Sequence, residues 1–205
     1  MPQALEARPP YDLCGGHPAL DFVNSLDNRF REGGPRELLA DYADLLRFTR
    51  QTRLLDTGQA RRLADAVNPR AAARTLRSAH ELREALAAAL YGGVEGRPPP
   101  PAAVRTLERY FRGMSAHQEL KWERSGPAWD WGRAETNAAL PVWMLSRAAS
   151  QLMLSEAMLF IRACGAESCR WLFLDTSKNH TRRWCNMQVC GNRMKARRFQ
   201  ARREA

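Results

Sequence analysis

The sequence predicts a mainly α-helical protein with small β elements, in which a helical N-terminal domain, residues 1–157, precedes a small C-terminal unit, residues 158–205. Three observations carry this reading. Apolar residues recur at helical spacing through most of the first 155 positions. Four of the five cysteines fall in two pairs within 27 residues near the C-terminus. The excess of basic charge lies in that same stretch.

In chain order, residues 1–12 are proline-rich and read as a loose tail. Cys14-Gly15-Gly16-His17-Pro18 is a turn leading into a short strand or a helix start over 19–25, and Gly33-Gly34-Pro35 is a second turn. Leu38, Leu39, Tyr42, Leu45, Leu46 and Phe48 predict a helix over 36–55. A short helix over 59–67 is ended by Asn68-Pro69. Leu76, Ala79, Leu82, Leu86 and Leu90 share one face of a helix over 70–91, stopped by Gly92-Gly93. Pro98 to Pro101 form an extended connector, and a helix over 102–114 follows. Residues 118–131, with Trp122, Trp129 and Trp131, predict a hairpin. Pro141 opens a helix running to Leu154, and Ser155 and Glu156 cap one further turn. Trp122, Trp129, Trp131 and Trp143 are expected in the core.

Hydrophobic residues make up 44% and charged residues 26%, so the chain can bury a core. It has no run of eighteen apolar residues, and its N-terminus lacks a basic start followed by an apolar stretch. No membrane partner is therefore expected, and the chain reads as cytoplasmic. In a reducing compartment disulfides are disfavoured, and a clustered cysteine quartet reads as metal ligation.

The quartet is Cys164, Cys169, Cys185 and Cys190, spaced C-x4-C-x15-C-x4-C. Two cysteines a few residues apart reach one ion from a single tight turn, and two such pairs complete a tetrahedron. Gly165 lies in the first turn, and Gly191 marks a sharp turn after the last cysteine. Between the pairs, 171–175 reads as a strand, Thr176 to Asn179 as a turn, and 182–185 as a return strand. From Asn192 to Arg203 the sequence is helical. Knuckle, hairpin and knuckle at a helix start are the outline of a treble-clef zinc finger. Four thiolates leave no open position, so the expected cofactor is one structural Zn2+ held by all four cysteines. His180 is expected in the hairpin turn, not as a ligand. Cys14 stands alone, far from the quartet in sequence, and reads as a free thiol.

Residues 164–205 carry ten basic against three acidic side chains, a net +7, whereas the first 163 residues carry only +3. The field of such a segment selects a polyanion. Candidate phosphate or base contacts are Arg182, Arg183, Asn192, Arg193, Lys195, Arg197, Arg198 and Arg202; Met194 and Phe199 are expected to face the finger. DNA is the expected partner. RNA binding, or a protein-interaction module with a scaffolding zinc, are the alternatives. The sequence has no Ser-His-Asp order, no phosphate loop and no open zinc site, so an enzyme is not expected. A homodimer is compatible with two-fold symmetric operators, but no heptad seam is visible.

Cys190-Gly191-Asn192-Arg193 spells CGNR, preceded by Arg183-Trp184-Cys185-Asn186-Met187. In these residues the chain resembles the CGNR zinc finger family of bacterial proteins, whose members join a mostly helical domain called ABATE to a C-terminal treble-clef finger. Gly16 to Ser25 is similar to the ABATE opening motif G-H-x-x-L-D-F-x-N-T, with Ser25 keeping the hydroxyl of the usual Thr. The resemblance implies a stress-induced transcriptional regulator, with zinc on the four cysteines, DNA on the finger and a ligand sensed by the N-terminal domain. His17, Asp21, Asn24 and Ser25 admit two readings: a small polar ligand pocket, or a capping cluster that pins the N-terminal segment to the helices.

Overall fold

In the computed structural model, which describes residues 9–204, the 26-residue helix α4 (Pro69–Val94) is the element on which the others are assembled. Asn68 caps its start by accepting the Ala71 amide at 2.9 Å, and Pro69 sits where a helix has no N–H to satisfy. Its end differs from the expected stop at Gly92-Gly93, which lie inside the helix. Gly96, at φ 68°, supplies the left-handed residue instead. The Arg97 amide donates to the Gly92 carbonyl at 2.8 Å, and the Gly96 amide to the Gly93 carbonyl at 3.2 Å. These are the two bonds of a Schellman end, which needs its glycine one residue past the cap.

Around α4 lie α1 (Pro18–Asn24), α2 (Tyr42–Gln51), α5 (Pro101–Ser115) and α6 (Leu140–Met153). Leu82, Leu86 and Leu90 of α4 meet Phe22 of α1, Phe48 of α2, Leu107 of α5 and Leu145 of α6 in one buried core. The helix α3 (Thr57–Ala66) begins with a capping box between Asp56 and Gln59. Its Leu63 belongs to a second cluster with Leu46, Met114, Trp131 and Met144.

Several expected elements take other bounds for local reasons. Residues 18–24 are helical, with His17 as cap. The helix expected over 36–55 starts only at Tyr42, because Asp41 accepts the Asp44 amide at 2.7 Å and fixes the first turn there. Ahead of it, β2 (Arg36–Glu37) pairs antiparallel with β1 (Leu26–Asp27). Glu37 takes two bonds of 2.6 Å from the buried Arg83 guanidinium. Pro101, expected in the connector, is the first residue of α5. The proline-rich tail lies, through residue 8, outside the described residues. Tyr11 is anchored, its amide donating to Gln51 Oε1 at 2.8 Å and its carbonyl accepting from Gln51 Nε2 at 2.7 Å.

The hairpin β3 (Glu119–Glu123) and β4 (Gly126–Asp130) forms as expected. Trp131 is buried, but Trp122 and Trp129 are 80% and 54% exposed, so those two are not core. Leu120 pairs with Trp129 and Trp122 with Pro127 across the strands, which puts them on one face, open to solvent. Trp143 is half-buried and stacks on His117 with centroids 3.8 Å apart.

Beyond α6, a one-turn 3-10 helix (Glu156–Phe160), in which the expected boundary at 157/158 falls, leads into β5 (Ile161–Ala163). Its antiparallel partner is β6 (Leu172–Leu174). The expected hairpin between 171–175 and 182–185 is therefore wrong in its second strand, since β6 pairs backwards and residues 182–185 are irregular. The cause is Asp175. Its carboxylate accepts from the Ser177 amide, the Ser177 hydroxyl and the Arg182 amide at 2.6–3.0 Å, which closes 175–182 into a loop. Helix α7 (Asn192–Glu204) continues directly from a π-helical turn, Met187–Gly191.

The β5–β6 hairpin is joined to the N-terminal helices by more than packing. Ile161 and Leu172 belong to the main core. Asn24 on α1 donates Nδ2 to the Leu172 carbonyl at 2.8 Å and accepts the Leu172 amide on Oδ1 at 2.9 Å. A side-chain amide thus serves β6 as a strand partner would. The Leu174 amide donates to the Gly15 carbonyl at 2.8 Å, and the Tyr91 hydroxyl to the Arg170 carbonyl at 3.0 Å. No helix among the described residues is long and apolar enough to cross a membrane.

Asn24→Ala orphans a buried N–H and a buried C=O at once. The expected cost is about 2–4 kcal/mol, a fall in Tm of roughly 5–15 °C for a chain of this size. Thermal denaturation followed by circular dichroism measures it, and a fall under about 2 °C would mean that water or another group replaces the amide.

Candidate metal centre and nucleic-acid interface

The strands β5 and β6 present the first cysteine pair, and the start of a helix presents the second. Cys164 follows β5, and its amide donates to the Trp171 carbonyl at 2.8 Å; the Cys169 amide donates to the Ala166 carbonyl at 2.8 Å. This is a tight knuckle, and Gly165 lets the chain pass close to the second pair. Its amide donates to the Arg183 carbonyl at 2.9 Å, and a Cβ there would lie 3.1 Å from the Trp184 ring. On the other side, Asn186 Oδ1 accepts the amides of Gln188 and Val189 at 2.9 and 3.2 Å. Cys190 therefore lies within the first helical turn, where the helix dipole favours an anionic ligand. Gly191 makes no sharp turn, contrary to expectation. A Cβ there would lie 3.2 Å from Trp184 Cδ1, closer than ordinary contact, and would displace the exposed Met187 thioether.

The four sulfurs lie within 4.8 Å of one another. Cys169 and Cys185 are 3.6 Å apart, and Cys185 and Cys190 are 3.8 Å apart. A tetrahedron of sulfurs at about 2.3 Å from zinc has edges of about 3.8 Å, so the set fits that ion. The electrostatics agree. Hydrogen bonds from Cys169 and Cys185 hold Cys164 far below the usual thiol range. Bonds with Cys14, Cys164 and Cys169 push Cys185 far above it. Four thiolates this close repel one another, and a dication among them lets all four ionise. The four cysteines make a site for one structural zinc. Cys14 is not remote in space. It packs against this cluster.

His180 stays outside the sulfur cluster. Its ring stacks on Phe160 at 4.0 Å, and Nδ1 donates to the Asp175 carbonyl at 2.9 Å.

The eight polar and basic candidates divide by burial. Arg182 is half-buried, with its guanidinium over Phe173 at 4.6 Å. It donates to the Trp184 carbonyl at 2.8 Å and to the Cys185 carbonyl, so it braces the second knuckle. Arg183, Asn192, Arg193, Lys195, Arg197, Arg198 and Arg202 are exposed. None of the six cations among these seven forms an ion pair among the described residues, and Arg193 reaches only the Ser168 hydroxyl, at 3.2 Å. Met194 packs on the cysteine cluster. Phe199, expected to do the same, is 64% exposed. It lies five residues on, about 140° around the helix from Met194.

His17, Asp21, Asn24 and Ser25 are engaged with the chain itself. His17 Nδ1 accepts the Ala19 amide at 3.2 Å, Asp21 the Gly15 amide at 2.7 Å, and Asn24 pairs with Leu172. The Ser25 hydroxyl donates to the Phe22 carbonyl at 2.6 Å and accepts from Arg83 at 3.2 Å. Sequence reasoning missed a cleft of about 520 Å³ between α5 and its neighbours, lined by Val104, Leu107, Phe111 and Met153, with Glu108 and Arg112 among its polar residues. No local motif marks it, because its walls are ordinary helix residues.

Two family models match the chain. One, ABATE, described as "Putative stress-induced transcription regulator", covers residues 16–156; the other, the CGNR zinc finger, covers 161–203. No curated protein matches it.

Two outcomes are expected. Cys185→Ser removes stoichiometric zinc and unfolds the finger, seen by metal analysis and tryptophan fluorescence; a metal-free finger that stays folded would contradict this. Burial pushes the Asp21 carboxyl up from 3.8 to about 7, with Gly15 opposing and Asp12 assisting. The folded chain then holds a proton that the unfolded chain releases, so this group's contribution falls as pH rises from about 4 to about 7. Asp21→Asn keeps the acceptor and removes the slope. Melts of both proteins from about pH 5 to pH 8 should show the variant gaining relative stability with pH.

Proposed function

We propose that this chain, which belongs to the ABATE family and carries a CGNR zinc finger, is a non-enzymatic transcriptional regulator that binds DNA through its C-terminal finger. The single observation supporting this is α7. It is a helix with six exposed cations that have no carboxylate partners among the described residues, fixed at its base by a metal knuckle. Arg193 with Arg197, and Arg198 with Arg202, are spaced i, i+4, so like charges face each other and cost the free helix about 0.2–0.5 kcal/mol per pair. Phosphate relieves that repulsion, and the release of condensed counterions adds to affinity. Zinc supplies no chemistry to a substrate in this reading; it holds the helix where Asn186 and Met194 dock it.

For the N-terminal domain we propose ligand sensing at the cleft beside α5. Its apolar lining, with Glu108 and Arg112 as polar groups, suits a small amphipathic molecule. Because β6 is bonded to Asn24 and buried in the same core, a shift of the helices on binding would be transmitted to the finger.

Arg193→Ala with Arg197→Ala should weaken binding to duplex DNA about tenfold or more and reduce the slope of log K against log salt by about 1.8, with zinc content unchanged. Gel shifts across a salt series measure both. An affinity indifferent to salt, or unchanged in the double variant, would overturn the nucleic-acid reading.

A further inference from the structure

The side of α7 turned away from the finger differs in chemistry from its two flanks. Met194 marks the side that packs on the cysteine cluster. At about 100° per residue, Arg193 and Arg197 fall on one flank, and Lys195, Arg198 and Arg202 on the other. The outward side carries the stripe Asn192, Ala196, Phe199 and Arg203, spaced i, i+4, i+7 and i+11. All these residues are exposed, Phe199 by 64%, and the Arg203 guanidinium lies 5.8 Å from the centroid of its ring.

A helix that lies on one phosphate strand needs cations on one side. A helix that enters a groove meets phosphates on both sides and base edges in front. From this distribution we infer that α7 enters the major groove of B-form DNA, with its flanks on the two phosphate walls and the Asn192–Ala196–Phe199–Arg203 stripe against the base edges. This rests on the nucleic-acid reading above and names the form of partner. A helix about 10–12 Å across fits a major groove about 12 Å wide, and A-form RNA presents a major groove too narrow to admit it. The stripe has the chemistry that major-groove edges recognise. Asn192 offers the bidentate pattern for adenine, Ala196 and Phe199 offer apolar contact for the thymine methyl group, and Arg203 can pair with guanine. Such contacts also account for a phenylalanine left in water among arginines.

The test uses the full-length zinc-loaded chain and duplexes of one length: unmodified DNA, DNA with every cytosine replaced by glucosylated 5-hydroxymethylcytosine, and duplex RNA. The sugar fills the major groove and leaves phosphates and minor groove free. Binding to the glucosylated DNA and to the RNA is expected to be weaker by about tenfold or more than to unmodified DNA. In duplexes selected from a random pool, Asn192→Ala and Phe199→Ala should relax base preference at separate positions. Arg198→Ala should instead lower affinity evenly and reduce the salt slope by about 0.9. All three side chains are exposed, so zinc content and helicity should not change. Equal binding to the glucosylated duplex, equal binding to RNA, or an unaltered preference in both stripe variants would overturn the groove assignment while the nucleic-acid reading survives. Failure of the wild-type chain to bind any duplex at low salt would sink both.

Discussion

Four sulfurs within 4.8 Å of one another cannot all carry charge unless a cation sits among them, and the form of the C-terminal finger follows from that constraint. The strands that present the first pair are three residues long each. The second pair stands on an irregular loop and a helix start. Such short elements bury too little apolar surface to hold themselves, so the metal supplies what the missing core would. Its placement also sets the direction of α7, because Cys190 is at once a ligand and a residue of the π-helical turn from which α7 continues.

The finger is not a tethered appendage. Leu172 contributes its side chain to the main core and both backbone groups to Asn24. Trp171 donates its indole N–H to Asp27 at 3.0 Å. In the opening segment of the N-terminal domain His17 caps α1, Asp21 fastens Gly15, Asn24 completes β6, and Ser25 receives the buried Arg83. A cluster of polar residues in sequence is here a set of separate hydrogen-bonding duties that hold one junction. The thiol of Cys14 belongs to the same junction, against the metal ligands.

For the function proposed above, this junction is the route by which the N-terminal domain would act on the finger. A finger on a flexible linker would bind DNA with little regard to the state of the domain before it. A strand shared between helical core and metal knuckle makes the orientation of α7 depend on how α1 and α4 pack, and small shifts in packed cores are transmitted because such cores are stiff.

Features that depend on local periodicity and on short spacings were readable from the amino-acid order alone. The helices α3 to α6 lie within a few residues of where apolar spacing and proline placed them, and the hairpin at β3 and β4 was legible too. The C-x4-C pairs identified the metal ligands, since a tight knuckle of that length lets two sulfurs reach one ion. The concentration of arginine after Cys190 identified the cationic helix. Features that depend on partners distant in the chain were set by how the folded chain packs. Packing chose β5 as the partner of β6, because Asp175 bonds close the loop that would have returned. It brought Cys14 beside Cys185, left Trp122 and Trp129 in solvent, and turned Phe199 away from the finger. Which face of a strand or helix is covered depends on what lies across from it, and contacts between residues as far apart as Asn24 and Leu172 leave no periodic trace in the sequence.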